Sequence, residues 1–245
     1  MGLNDHFHPP LSVRRPWHSV HHAWCTTLSA DLNARLPEGY VAMPNVQFNI
    51  EIDVATFDDR SGRGGGAQTG VEAGGATTAV WSPPMPEQSL RFGLVTDAIE
   101  TLVYNQEGGL TLAGAIELVS PANKDRAAHR EAFVSKCETY LQQGVGLLIV
   151  DIVTDRQANL HDQLLKRLGD PAAVALDSAL YAASYHPVER DAEDRLDVWQ
   201  QVLEIGKRLP KMPLWLKGGL CLPIELDATY ERACRDLRID KVELE

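Results

Sequence analysis

The apolar and polar positions of this chain change period most legibly between Ala115 and Val153. Ala115 to Ser120 is a short apolar run interrupted by one carboxylate, Glu117, and it stops at Pro121, which has no N–H to continue a strand ladder. Phe133, Cys137, Tyr140 and Leu141 then recur at helical spacing, the stripe of a helix packed on a sheet, and Gly144 closes it. Val145 to Val153 is apolar and rich in β-branched residues except for Asp151, the composition of a strand covered on both faces. Strand, crossover helix and strand form a βαβ unit, so the pattern predicts a central sheet and an α/β (α+β) fold.

The remaining pattern places further elements around that unit. Met1 to Pro16 is polar and Pro-rich, an irregular tail that docks on the body. Trp17 to Leu36 keeps helical spacing and ends at Pro37. Tyr40 to Phe57 alternates as one strand or two, with Ile50, Ile52 and Val54 on one face and Glu51, Asp53 and Ala55 on the other. Arg60 to Ala79 is Gly-rich, and no Lys-Ser/Thr or helix onset follows it, so it reads as a flexible insertion rather than a phosphate cradle. Leu94 to Tyr104 and Leu110 to Ser120 read as a hairpin around Gly108-Gly109. Leu160 to Leu168 is a short helix ended by Gly169. Asp177 to Tyr185 is either strand or helix, Arg195 to Arg208 has helical spacing with an extended portion around Val198 to Ile205, and Leu226 to Leu237 is a closing helix. No linker divides the 245 residues, so one domain is expected, with its core at about 40–153 and a C-terminal elaboration at 154–245.

Composition narrows the function. The net charge of −11 counts against a protein whose main work is gripping duplex nucleic acid, because that affinity comes from neutralising phosphates. The four cysteines, Cys25, Cys137, Cys221 and Cys234, are widely spaced, and Cys137 lies on an apolar helical stripe, so they read as core filling. No apolar run approaches the roughly 20 residues that span a bilayer. A soluble protein of the reducing cytoplasm is the expectation. His18, His21 and His22, with His6 and His8 upstream, fall at spacings that could bring two imidazoles together for a metal ion, although packing or surface roles are the better expectation.

The chemistry of the centre rests on three side chains: Asp53 on an early strand, Glu117 on a later one, and Lys136 on the helix that follows. Two carboxylates converging at a sheet can hold Mg²⁺, and a lysine beside them can steady charge that develops on phosphorus. Lys136 lies between Phe133 and Tyr140 on the sheet-facing side of its helix, so it needs a partner, Glu117 or Asp151. The bland counterpart is a structural salt bridge flanking the core.

The run IELVSPANK, the Lys136-x-x-x-Tyr140 spacing and GVGLLIVDIV together resemble an uncharacterised bacterial family within the restriction-endonuclease-like, or PD-(D/E)XK, superfamily, akin to the Uma-two-type endonucleases. The likeness covers about Ile50 to Asp151, and PLWLKGGLCLPIELDATYERAC resembles the same family. It implies a restriction-endonuclease-like core with a mixed sheet and flanking helices, and a metal-dependent nuclease acting on nucleic acid. By resemblance Asp53 and Glu117 are the Mg²⁺ ligands and Lys136 the charge stabiliser, with Lys124 as its substitute. The chain departs from the pattern where Val119 stands in place of the usual lysine and Ile52 in place of a proline before the first acid. A helix running on from Asn123 would bring His129 or Arg130 level with Glu117 before Lys136, so Lys136 requires a long turn or a slanted helix. The alternative is a non-catalytic member of the fold serving binding or assembly, its acid and lysine cluster a salt-bridge network. Partners admitted by this reading are nucleic acid and a second copy of the chain.

Overall fold

The extended runs pair into one mixed sheet, and the amphipathic helices cover its two faces. The computed structural model describes residues 1–48, 50–58, 81–92, 111–169 and 173–239. In chain order the elements are α1 (Leu11–Arg14), α2 (Trp17–Asn33), β1 (Tyr40–Phe48), β2 (Ile50–Asp58), β3 (Gln88–Arg91), β4 (Thr111–Leu118), α3 (Pro121–Asp125), α4 (Ala127–Gln142), β5 (Gly146–Asp151), α5 (Leu160–Leu168), β6 (Tyr181–Arg190), β7 (Glu193–Val202), β8 (Lys211–Trp215), β9 (Cys221–Glu225) and α6 (Leu226–Asp236). Among the described residues, seven strands form the sheet in the order β1-β2-β4-β5-β6-β7-β3, and β8 and β9 form a separate ribbon. Only β4 and β5 run parallel; the other described pairs of the large sheet are antiparallel. The expected βαβ unit is therefore present, set inside a mostly antiparallel sheet.

Each face of the sheet has its own core. On one, Trp24, Leu28, Ile116, Leu148, Leu214 and Tyr230 pack together from α2, the sheet, the ribbon and α6. On the other, Phe133, Cys137, Ile149, Leu164, Tyr185 and Val198 join α4 and α5 to the sheet. The stripe Phe133, Cys137, Tyr140 and Leu141 is buried as its spacing requires. Gly114 and Gly146 face each other across β4 and β5. A side chain on Gly146 would run into the Trp215 carbonyl, so glycine lets the ribbon lie against the sheet. The N-terminal tail docks as expected: Leu3 and Leu11 are buried, and the His6 ring meets the Tyr230 hydroxyl at 2.6 Å.

Two expectations are corrected and one open alternative is resolved. Arg195 to Arg208 is not helical: it opens within β7, which pairs with β6 over its whole length, so the extended portion expected around Val198 is present and begins earlier. Leu196 and Val198 enter one core and Trp199 the other, a period of two that the helical spacing concealed. The turn between them is Asp191-Ala192, both with positive φ, 53° and 59°, the left-handed pair of a tight hairpin, written without the usual glycine. Asp177 to Tyr185 resolves into strand from Tyr181 onward. Ile52 and Val54 do not share a face, since Ile52 belongs to the α4 core and Val54 to the α2 core. The Gly-rich segment 60–79 and the hairpin arm 94–104 lie outside the described residues. Over Gly114–Leu118, β4 has β5 on one side, and its antiparallel partner over Val54–Asp58 is β2.

The helix after Pro121 is two helices. Arg126 is extended, at φ −106° and ψ 153°, and separates α3 from α4. Ser120 donates its backbone N–H to Asn123 Oδ1 at 2.8 Å, which fixes the start of α3. His129 and Arg130, the residues an unbroken helix would bring to Glu117, turn back onto α3, His129 to the Ala122 carbonyl and Arg130 to the carbonyls of Lys124 and Asp125. The break gives α4 its own axis, and that axis brings Lys136 to Glu117.

Candidate functional site

The site forms where the ladder between β2 and β4 ends. Pairing runs from Asp58 opposite Thr111 to Val54 opposite Ile116 and goes no further. The backbone of Leu118 is then satisfied by side chains: its N–H donates to Asp53 Oδ2 at 2.6 Å, and its carbonyl accepts from His21 Nε2 at 3.2 Å. This follows from the rule that a buried backbone group must find a partner when its strand neighbour leaves. Opening the ladder creates a cleft of about 370 Å³ between the start of α2, the ends of β2 and β4 and the start of α3, lined among others by Trp17, His21, Asp53, Glu117 and Lys136.

Glu117 lies on the α4 side of β4, and it is only 2% exposed. Lys136 Nζ donates to Glu117 Oε2 at 2.7 Å, and the Tyr140 hydroxyl to Oε1 at 3.4 Å. The K-x-x-x-Y spacing thus puts both donors on one helical face, four residues apart, aimed at one carboxylate. The Lys136 ammonium also lies 5.2 Å from the Phe133 ring centroid, a cation–π contact that helps hold it over the apolar face. Of the two partners considered for Lys136, the structure selects Glu117.

Burial decides the electrostatics. Loss of solvent pushes the Glu117 carboxyl up to about 7, with the Lys136 charge pulling down and the Asp53 charge pushing up. Lys136 responds in the opposite sense: burial works against its charge, but Glu117 outweighs it and raises the ammonium above its ordinary range. His21 is also raised: burial opposes protonation, and the hydrogen bond and charge of Asp53, 3.1 Å from Nε2, outweigh it. Cys25, fully buried one helical turn after His21, has its thiol pushed up by burial and by the two nearby carboxylates, so it is held as a neutral S–H.

The residues expected from sequence separate into two groups. Asp53, Glu117 and Lys136 come together. Lys124 does not: its side chain is sealed in the interior, 2.8 Å from Asp151 Oδ2, and it is a structural cation rather than a substitute for Lys136. The histidines also part company. His6 is buried against Tyr230, His8 pairs with Asp5 at 2.8 Å, and His18 and His22 stay on the cleft wall with ring centroids 6.4 Å apart. Only His21 joins the acids. Its sequence signal was the spacing of four to Cys25, which puts both on one face of α2; among the described residues, His21, Cys25 and Asp53 are the group of potential metal ligands that converge.

What the fold and site define is a mixed α/β protein with a carboxylate, lysine and imidazole cluster at the open end of a sheet ladder. Comparison with family models, with curated proteins and with solved structures gives no match. No helix among the described residues is long and apolar enough to cross a membrane.

Proposed function

We propose that this cleft is the active site of a metal-dependent, nuclease-like phosphodiester hydrolase acting on nucleic acid. The observation that carries the proposal is that Asp53 from β2, Glu117 from β4 and Lys136 from α4 line one cleft, as the restriction-endonuclease-like resemblance expects. The donors suit a hard divalent cation, because carboxylate and carbonyl oxygens of Asp53 and Leu118 converge on one point, now taken by His21 Nε2. Asp53 and Glu117 are the side chains that would hold Mg²⁺, and the bound ion would polarise the phosphodiester and lower the pKa of a water. The chain supplies the rest: Lys136 orients Glu117 and presents its ammonium to charge developing on phosphorus, and Tyr140 fixes the second Glu117 oxygen.

The second reading, a binding or assembly protein with a structural network, has its own support: both oxygens of Asp53 and both of Glu117 already accept from the protein. One experiment separates the two. The purified chain is incubated with single-stranded DNA, duplex DNA and RNA in Mg²⁺ or Mn²⁺, beside Glu117→Gln and Lys136→Met. The catalytic reading expects cleavage that both variants lose by about 100-fold or more. Absence of cleavage on all three polymers with both cations, or full activity in Glu117→Gln, would leave the binding reading.

A further inference from the structure

His21 Nε2 occupies an unusual place. Two oxygens from different elements, Asp53 Oδ1 of β2 and the Leu118 carbonyl of β4, approach this one nitrogen at 3.1 and 3.2 Å. An N–H directed between two oxygens is an arrangement a cation would also satisfy, because both present lone pairs to the same point. The other ring nitrogen is not idle: Nδ1 faces Cys25 Sγ at 3.8 Å, on the opposite edge of the imidazole. A ring whose outer nitrogen meets hard oxygens and whose inner nitrogen is held by a buried neighbour has the layout of a metal-ligating histidine with its orienting partner. His21 borders a cleft open to solvent, while Cys25 lies wholly beneath it.

We infer that the cation site of this cleft is a mixed nitrogen and oxygen site, in which His21 Nε2 joins Asp53 and the Leu118 carbonyl as a ligand, so that it takes a first-row transition cation in preference to Mg²⁺. This deepens the proposed function and rests on it only for what the bound ion does. On binding, the Nε2 proton leaves to solvent and its lone pair turns to the metal, while Nδ1 keeps a proton directed at Cys25 Sγ. Imidazole favours Mn²⁺, Co²⁺ and Zn²⁺ over Mg²⁺, which prefers oxygen and keeps its waters. Cys25 Sγ converges with His21 and Asp53, but it is wholly buried and meets the ring at Nδ1, so it orients the imidazole while Nε2 and the oxygens take the ion.

The test is direct binding to the full chain at neutral pH, by calorimetry with Mg²⁺, Mn²⁺ and Co²⁺ and by the visible absorption of Co²⁺. Mn²⁺ and Co²⁺ should bind about tenfold or more tighter than Mg²⁺, and His21→Gln should weaken Co²⁺ by about the same factor while circular dichroism stays unchanged. Asp53→Asn should weaken every cation. The inference is overturned if Mg²⁺ binds as tightly as Co²⁺, if His21→Gln binds Co²⁺ as wild type does, or if no cation binds. It is overturned too by an intense near-ultraviolet thiolate band that disappears in Cys25→Ser, which would make Cys25 a ligand. Co²⁺ binding through His21 without cleavage of any nucleic acid would sink the nuclease reading alone; Mg²⁺-driven cleavage undiminished in His21→Gln would sink this inference alone.

Discussion

Strands β4 and β5 run parallel, and each carries near its end a buried carboxylate met by a lysine from the helices that join them: Glu117 by Lys136 of α4, Asp151 by Lys124 of α3. The separations are nearly the same, 2.7 and 2.8 Å. Their surroundings are not. Both side chains of the Asp151 pair are 0% exposed, whereas the Lys136 side chain keeps 17% of its surface at the cleft. Around Asp151 the remaining partners are backbone groups, the Val153 N–H and, for Lys124, the Ala179 carbonyl. Around Glu117 stand another acid, a tyrosine and a solvent cleft. Identical charges thus make a sealed fastener in one place and a cluster open to a cleft in the other, and what separates them is where the ladder opens.

That contrast is broken most directly by removing one carboxylate charge from each pair. Asp151→Asn leaves the Lys124 ammonium in a sealed interior, and removing one partner of a buried pair typically costs about 3–5 kcal/mol. Glu117→Gln leaves Lys136 able to extend its ammonium into the cleft, so its loss should be about 1 kcal/mol. Urea unfolding of the two variants beside wild type checks this, and equal losses would mean that the cleft is as closed as the interior.

Sequence made the scaffold of this comparison legible and hid its hinge. The buried strands, the α4 stripe, the terminating glycines Gly144 and Gly169 and the closing helix α6 all declare themselves locally, because periodicity and capping act within one element. Asp53, Glu117 and Lys136 were nameable for the same reason, one residue per element. The break at Arg126 was not, since it is stabilised by His129 and Arg130 folding back on α3, a contact that spacing does not reveal. The role of Lys124 is not legible in the sequence, because its partner, Asp151, comes from a strand that only the parallel register of β4 and β5 brings near. His21 is equally hidden, because its neighbours Asp53 and Leu118 are distant in sequence. The extent of β7 has a similar origin: pairing with β6 overrides a local helical spacing and carries the strand back from the expected extended portion to Glu193.

A pH series sharpens the comparison further. Both carboxyls are raised, Glu117 from 4.5 to about 7 and Asp151 from 3.8 to about 6, each chiefly by burial. A carboxyl that holds its proton more tightly folded than unfolded makes the folded state bind more protons in that window, so stability falls as pH rises through it. These two carboxyls should therefore contribute a decline of the urea midpoint from about pH 4 to about pH 7, set against the rise contributed over the same range by His6, His161 and His186, whose imidazoles burial lowers. Glu117→Gln should remove the upper part of the decline, up to about 7, and Asp151→Asn the part that ends at about 6. A difference between wild type and either variant that stays constant across this window would contradict the assignment for that carboxyl.

The smallest expected effect falls on Tyr140, and it asks whether the Glu117 cluster is held by one donor or two. The Tyr140 hydroxyl meets Glu117 Oε1 at 3.4 Å, a long contact beside the 2.7 Å bond from Lys136. Tyr140→Phe keeps the ring in its buried place and removes only that donor. A neutral hydroxyl at such a distance contributes about 0.5–1 kcal/mol, so the unfolding midpoint should move only slightly. The carboxyl should respond more visibly: losing a donor that favours its charged form raises its pKa, and the descending limb of the pH series should shift to higher pH. A large loss of stability with an unmoved limb would instead mean that the hydroxyl serves the core and not the carboxylate, leaving Lys136 as the sole side-chain donor that positions Glu117.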